Sequence, residues 1–205
     1  MGRGGLALAV ALPAIGMAAE NTPPAVGLAV RDITPELPIR LAGHGARNQS
    51  AQKVDHPLQA QALALKNPSG ERFVLVALDN LEVSRAFMQP VLQKLAAQLH
   101  LGRGEVAVVS SHTHSAPVLD QTLTDMVQPQ PEERERIESY SRLLQARLLE
   151  LVEAALNDCQ PAVFEYGQGR AGFAMNRRVY RGDNVVFGDN PDGPVDWDVP
   201  VLRIR

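Results

Sequence analysis

Two histidines separated by one residue are the most chemically informative feature of this sequence. His112 and His114 follow an apolar segment, EVAVVSS at 105–111, and precede Pro117. On an extended backbone alternate side chains point the same way, so both imidazoles would face one site beyond the end of a strand. Neutral imidazole is a zinc ligand, and it titrates near pH 6.5, about where proton transfer needs it. The pair predicts a metal ligand, a proton-transfer group, or one of each; two surface histidines in a strand-to-loop turn are the alternative.

A β-α-β unit is expected to position this pair. The segment ERFVLVALD at 71–79 has the composition of a strand, and Ser84 can cap a helix that runs to about Leu99 with an apolar stripe. Residues 105–111 then form the second strand. A crossover of this kind makes its two strands parallel and adjacent. The histidines should therefore stand at the carboxyl end of an inner strand, where open α/β sheets place their ligands.

The remaining apolar patterns complete the prediction of an α/β fold. A short strand is expected in VGLAVRDITP at 26–35, and the NPSG turn at 67–70 should join two strands as a β-hairpin. The middle of the second hairpin strand is almost entirely apolar, which favours burial on both faces. A long amphipathic helix is predicted from Glu132 to about Asn157. The expected architecture is a mixed sheet with a β-hairpin and a β-α-β crossover, flanked by helices.

The C-terminal part of the sequence is less regular. Residues 162–170 and 199–205 have strand character, whereas RGDNVVFGDNPDGP at 181–194 has the composition of a loop. We therefore predict two strands separated by a long irregular connection.

Length and charge limit the classes of function. With 205 residues, of which 45% are apolar and 21% charged, the chain can bury a core of its own. The formal net charge is −3, and Lys and Arg are scattered. Because no basic face is expected, nucleic acid is excluded as a predicted partner.

The first 19 residues resemble a secretory signal. Arg3 provides a positive start, the segment from Leu6 to Ile15 is apolar but too short to span a membrane, and small residues follow at Ala18 and Ala19. We expect cleavage there and a secreted or periplasmic protein; an apolar N-terminus without a targeting role is the alternative. Export would leave the single cysteine, Cys159, without an internal disulfide partner.

Several segments together resemble one enzyme family. SSHTHSAP at 110–117 is similar to the THTHSGP signature of the neutral (non-lysosomal) ceramidases. Further similarities occur in the family's order, so the resemblance extends from Val26 to Ile204. They are LAGHGARNQ at 41–49, VDHPLQAQALAL at 54–65, FVLVALDN at 73–80, AGFAMNRRVY at 171–180 and GPVDWDVPVLRI at 193–204.

This resemblance implies a secreted, zinc-dependent amidase that cleaves the N-acyl bond of ceramide or a related lipid amide. It implies that His112 ligates Zn²⁺, that His114 acts beside the metal, and that Arg177 lines the same pocket. Arg178 would take the last role if the alignment slipped by one residue. Residues 20–205 would form the N-terminal part of the catalytic domain, and transient contact with a membrane surface is expected.

The resemblance also implies that the chain is incomplete as a catalyst. The family completes its zinc site with a later histidine, a glutamate and a tyrosine, which follow the segment matched here. We therefore predict that the 205-residue chain alone is inactive and binds zinc weakly. Two alternatives stay open: a binding or sensing module that has the fold without the catalysis, and another metallohydrolase that uses an HxH pair.

Four residues differ from the family pattern or have two interpretations. His56 follows Asp55 in an order reversed from the family's usual pair, so a turn residue is favoured over a ligand. His44 stands where the family often has an aromatic residue, so it would either line the pocket or, the favoured alternative, be an ordinary loop histidine. Ala116 replaces the signature's glycine. Asp79 would either orient a histidine through a hydrogen bond or cap the following turn.

Overall fold

The computed structural model describes residues 23–123 and 126–205. The predicted signal at 1–19 lies outside these residues. Within them, no helix combines the length and the apolar character that crossing a membrane requires.

A five-stranded mixed sheet forms the centre of the fold. Its strands are β1 (Ala25–Asp32), β2 (Gln59–Lys66), β3 (Arg72–Leu78), β4 (Val106–Ser110) and the short β5 (Gln160–Pro161), in the spatial order β4-β3-β2-β1-β5. The β2–β3 and β1–β2 pairs are antiparallel, whereas β3 and β4 are parallel. This confirms the predicted α/β architecture, with its hairpin and its β-α-β crossover. In the described residues, however, β4 is an edge strand, so the expectation of an inner strand is wrong.

Two helices cover one face of the sheet. Helix α1 (Arg85–Leu99) begins at the predicted cap, where Ser84 Oγ accepts a hydrogen bond from the Phe87 N–H at 3.0 Å, and it includes Pro90. Helix α2 (Pro131–Asn157) packs across β1 and β2. Its predicted stripe is buried throughout: Ile137, Tyr140, Leu144, Leu148, Leu151, Val152 and Ala155. The 3.6-residue period of the sequence thus translates directly into this packing.

Small residues on the sheet allow α2 to approach closely. Ala60, Ala62 and Ala64 of β2 are buried beneath the helices. A Cβ atom on Gly27 of β1 would lie only 1.9 Å from the carbonyl oxygen of Ala155. A larger residue at position 27 would therefore separate the helix from the sheet.

Within the residues that the structure describes, the opposite face of the sheet is exposed. In β3, Val74, Val76 and Leu78 are buried, but the alternating residues Phe73 and Ala77 are exposed. The prediction that this strand is buried on both faces is therefore wrong. Its apolar residues alternate between the face that packs against the helices and the face that is more exposed.

Four further strands form two ribbons near the C-terminus. β6 (Phe164–Arg170) pairs with β9 (Asp198–Ile204), and β7 (Asn176–Arg181) pairs with β8 (Asn184–Asn190). β6 and β9 confirm the two predicted strands, but β7 and β8 both lie in the connection that was expected to be irregular. Gly182, with φ +59°, and Asp183 make a two-residue hairpin turn, and the adjacent Val-Val-Phe run pairs with β7.

Candidate functional site

The histidine segment begins where the sheet ends. The Ser111 N–H still donates to the Leu78 carbonyl at 2.9 Å, which extends the parallel pairing by one residue beyond β4. His112 then adopts φ +58°, a left-handed conformation that is uncommon for a residue with a side chain. The premise of an extended backbone through His114 is therefore wrong. The two rings nevertheless lie together, with centroids 5.2 Å apart.

His112 is oriented by the main chain. Its Nδ1 lies 3.1 Å from the carbonyl oxygen of Leu81, which follows β3. Because a carbonyl only accepts, this contact assigns the proton to Nδ1 and leaves the lone pair of Nε2 free. Asp79 does not take this role, since its carboxylate accepts the Gln59 N–H at 2.9 Å. Neither interpretation of Asp79 is confirmed, because this contact joins Asp79 to β2 and not to a histidine or to the following turn.

His114 is confined by packing. Its side chain is half-buried, and the His44 ring packs edge-on against it, with centroids 4.9 Å apart and planes at 71°. A Cβ atom on Gly43 would lie 2.4 Å from His114 Cγ. The His114 imidazole therefore packs against the main chain of Gly43 and against the His44 imidazole.

The three histidines line one open cavity of about 250 Å³, which we call the histidine cavity. Its ionisable lining residues are His44, Glu82, His112 and His114. Its apolar wall consists of Leu81, Leu123, Met126 and Val127. The cavity thus joins ionisable groups to an apolar surface, a combination typical of small-molecule sites.

A second cavity, of about 390 Å³, lies on the other side of the histidine segment. Thr113 and Ser115 line it together with His56 and Asp79. The strand itself ends at Ser110. Side chains still alternate beyond it, because His112 and His114 line one cavity and Thr113 and Ser115 line the other. His56 lines this second cavity with Thr113 and Ser115, and it is not among the residues that line the cavity of the histidine pair.

Arg177 lies in β7 and makes its contacts within its own hairpin. Its Nε is 3.1 Å from Asp189 Oδ1, and its guanidinium carbon lies 4.6 Å from the centroid of the Phe187 ring. Neither Arg177 nor Arg178 is among the residues that line the histidine cavity. The structure therefore brings His112 and His114 together and adds His44, but it pairs Arg177 elsewhere.

The metal-binding capacity of the described chain is limited. Within residues 23–123 and 126–205, no three His, Cys, Asp or Glu side chains converge in a way that could hold a metal ion. His112 fits the requirement for one ligand, because a zinc-bound histidine usually donates its other ring N–H to a carbonyl or carboxylate. The zinc-ligand role of His112 stays a prediction.

Two features of the site escaped the sequence analysis. The Leu81 carbonyl carries no signal in the sequence, because every residue has one. His44 of the loop at 40–47 was one candidate for lining the pocket, but the packing of this loop around His114 was not predicted. The only hint was GHG at 43–45, and Gly43 does adopt φ +95°.

Comparison with known proteins identifies one family. A family model described as "Neutral/alkaline non-lysosomal ceramidase, N-terminal" matches residues 25–180. Neutral ceramidase of Oryza sativa subsp. japonica is 29% identical over 115 residues, which are 55% of this chain and 15% of that protein. Neutral ceramidase 2 of Arabidopsis thaliana is 31% identical over 96 residues, or 45% and 12% of the respective chains.

Solved structures share the fold. Neutral ceramidase from Pseudomonas aeruginosa superimposes with a TM-score of 0.64 at 24% identity, over 76% of this chain and 25% of that one. A structure described as "Ceramidase complexed with C2" gives a TM-score of 0.62 at 24% identity, over 76% and 24%. This chain thus spans about a quarter of each solved chain and a smaller share of the plant relatives.

Proposed function

This chain belongs to the neutral/alkaline non-lysosomal ceramidase family, and on that premise we propose that it supplies part of the active site of a zinc-dependent amidohydrolase. The proposed reaction is hydrolysis of the N-acyl amide bond of ceramide or a related lipid amide, which yields an amine and a carboxylate. One observation carries the proposal. His112 and His114 line a common cavity, and the Leu81 carbonyl leaves Nε2 of His112 free for a metal.

The donor chemistry of His112 suits zinc. Zn²⁺ prefers neutral imidazole nitrogen, and the carbonyl contact at Nδ1 fixes the tautomer that presents Nε2 to a metal. When bound, zinc would polarise the amide carbonyl and lower the pKa of a water molecule to about 7. Further ligands are needed, and the resemblance implies that they come from a later part of the family's sequence.

The other residues have complementary roles in this proposal. His114 would move a proton between the attacking water and the leaving amine, since an imidazole can donate or accept near neutral pH. Arg177 would anchor a substrate hydroxyl or carbonyl through its guanidinium. Its present partner, Asp189, is an exposed carboxylate, and such surface pairs contribute only about 0 to 1 kcal/mol. Replacing Asp189 by a substrate group as the partner of Arg177 would therefore cost little free energy.

A lipid amide suits the cavity because its walls are apolar beside the imidazoles. Access to such a substrate would involve transient contact with a membrane surface. The predicted signal at 1–19 supports a secreted or periplasmic location, which N-terminal sequencing of the exported protein would test by a start after Ala18 or Ala19.

The proposal is tested by turnover of fluorescent ceramide with the full-length gene product. His112→Asn is preferred to His112→Ala because asparagine tolerates the left-handed backbone at φ +58°. We expect a loss of about a hundredfold or more in kcat/KM, because removal of a metal ligand disables the bound ion. The matched control is His100→Asn, since His100 also has a positive φ, 54°, but caps α1 outside the cavity.

Four outcomes separate the hypotheses. Release of both a sphingoid amine and a fatty acid, abolished by His112→Asn and retained by His100→Asn, supports the amidohydrolase. Equal turnover by the two variants would contradict the role of His112. Absence of turnover by the unaltered protein would favour the binding module, and cleavage of a phosphoester or lactam instead would favour another HxH metallohydrolase.

A further inference from the structure

The loop at 40–47 runs alongside the histidine segment and is hydrogen-bonded to it. The Ala42 N–H donates to the Ala116 carbonyl at 2.9 Å, and the Val118 N–H donates to the Arg40 carbonyl at 3.0 Å. Leu41 and Pro117 lie opposite each other as an isolated antiparallel bridge. The loop therefore behaves as a short strand paired with the chain that follows His114.

Arg47 joins the loop to His114 itself. Its Nη1 donates to two carbonyl oxygens, that of Ala42 at 2.9 Å and that of His114 at 3.0 Å. The Arg47 N–H also donates to the His44 carbonyl at 3.0 Å, which closes a tight turn. One half-buried guanidinium nitrogen thus connects the main chains of the loop and the histidine segment, and charge-assisted hydrogen bonds of this kind are the stronger ones.

The loop is in turn anchored to α2. Arg40 Nη2 donates to the carbonyl of Arg47, and Arg40 Nη1 lies 3.9 Å from Glu133 Oε1 in the first turn of the helix. The side chains of Arg40 and Glu133 are only 14% and 18% exposed. Ser50 Oγ also donates to this carboxylate at 2.7 Å. These partly buried hydrogen bonds and this ion pair restrict motion of the loop.

We propose that Arg47 is a positioning residue that holds His114 in the orientation required for amide hydrolysis, a role that rests on the proposed function. Arg47 acts through His114, because it is not among the residues that line the histidine cavity. Its bond fixes the main chain of His114, while Gly43 and His44 confine the ring. Without that bond the main chain of His114 loses its direct link to the Arg47 side chain, and the imidazole loses its fixed place.

The first test observes the imidazole directly in the 205-residue chain. Arg47→Met removes the donors and retains the apolar stem. In ¹H–¹³C spectra of the histidine side chains, we expect it to shift or broaden the His114 signals and to abolish the cross-relaxation between His44 and His114. His100, outside the site at the end of α1, should be unchanged. The matched control is Arg142→Met, which removes only an exposed pair with Glu138 at 3.9 Å.

The second test measures turnover of ceramide by the full-length gene product. We expect Arg47→Met to lower kcat by about 10- to 100-fold and to change KM by less than about twofold, because misplacement of a catalytic group affects the chemical step. Arg47→Lys, which keeps a cationic donor of shorter reach, should recover part of the loss. Arg142→Met should retain the kcat of the unaltered protein.

The two tests separate this inference from the proposed function. If the unaltered protein does not cleave ceramide, the proposed function fails, and the spectra alone decide whether Arg47 fixes His114. Unchanged His114 signals in Arg47→Met would overturn the inference. So would a kcat equal to that of Arg142→Met, or a loss that merely follows the fraction of protein folded, as measured by thermal unfolding.

Discussion

The His112 imidazole is oriented by a main-chain oxygen, not by a carboxylate. The sequence suggested Asp79 as one possible partner, because a carboxylate at a strand end is a common histidine acceptor. In the structure Asp79 accepts the Gln59 N–H instead, and the Leu81 carbonyl takes the position at Nδ1. Main-chain acceptors cannot be recognised from residue types, which is why this contact could not be predicted.

Backbone conformation at single residues decides the shape of the site. The positive φ of His112 turns the chain away from the strand, and that of Gly43 lets the loop at 40–47 lie directly against His114. The histidine at position 112 gave no warning of this conformation. The glycine did, since a positive φ costs a residue without a side chain little.

Gly43→Ala tests the second of these positions. The new methyl group would lie 2.4 Å from His114 Cγ at a backbone φ of +95°, so both a clash and strain are introduced. We expect the free energy of unfolding, measured by urea denaturation, to fall by about 1 to 3 kcal/mol. The control is Gly45→Ala, because within the described chain no atom lies within 4 Å of that methyl position. Equal unfolding free energies for the two variants would contradict the packing described.

At the scale of the elements, the regular periods were predictive. The β2–β3 hairpin, the parallel β3–β4 pair and the stripe of α2 follow from alternation, crossover rules and a 3.6-residue period. Strands β7 and β8 were not predicted because Gly, Asp and Asn dominate the segment around them, although a Gly-Asp turn is itself typical of a hairpin. The edge position of β4 could not be predicted, since strand order depends on tertiary pairing.

The first turn of α2 provides an electrostatic anchor for the loop at 40–47. Burial on its own would raise the pKa of Glu133, but hydrogen bonds from Ser50 Oγ and the Gln130 N–H hold that pKa below its ordinary value. The nearby charges of Arg40 and Arg136 act in the same direction. A carboxylate with a lowered pKa in the folded state stabilises the fold above its unfolded-state pKa of about 4.3, and this contribution is lost as the pH falls through the folded-state value.

Glu133→Gln should therefore destabilise the protein in a pH-dependent way. At pH 7 we expect the free energy of unfolding to fall by about 1.5 to 3 kcal/mol, because hydrogen bonds to a charged group are lost. The difference from the unaltered protein should shrink in acid, where the native carboxyl is itself protonated. Urea denaturation at pH 7 and at acidic pH measures both values. Glu150→Gln, on the exposed side of the same helix, is the control, and a difference independent of pH would refute the charge argument.

At the scale of the whole molecule, helices cover one face of the sheet and the other face stays exposed in the part of the chain that is described. Leu28 is 61% exposed, Val30 51% and Val109 48%. The resemblance inferred from ordered motifs is confirmed by the family model at 25–180 and by the fold of the solved ceramidases. The position of Arg177 relative to the histidines was not predictable, because motifs give order along the chain and not the partner of a side chain.

The 205-residue chain alone should bind zinc weakly and should not hydrolyse ceramide. His112 is the one ligand that we propose in this chain, and no group of three metal-binding side chains converges within residues 23–123 and 126–205. A catalytic zinc site usually needs about three protein ligands. Dialysis against a weak chelator followed by elemental analysis should find well under one zinc per chain. Stoichiometric zinc after that treatment would show that this chain holds a complete site.

The most direct test of the account is the position of the metal in the full-length gene product. Crystals measured at the zinc absorption edge should give an anomalous peak about 2.0 to 2.1 Å from Nε2 of His112, while Nδ1 keeps its contact with the Leu81 carbonyl. A catalytically active protein whose zinc lies away from His112, or on its Nδ1, would contradict the assignment from which the proposed function is derived.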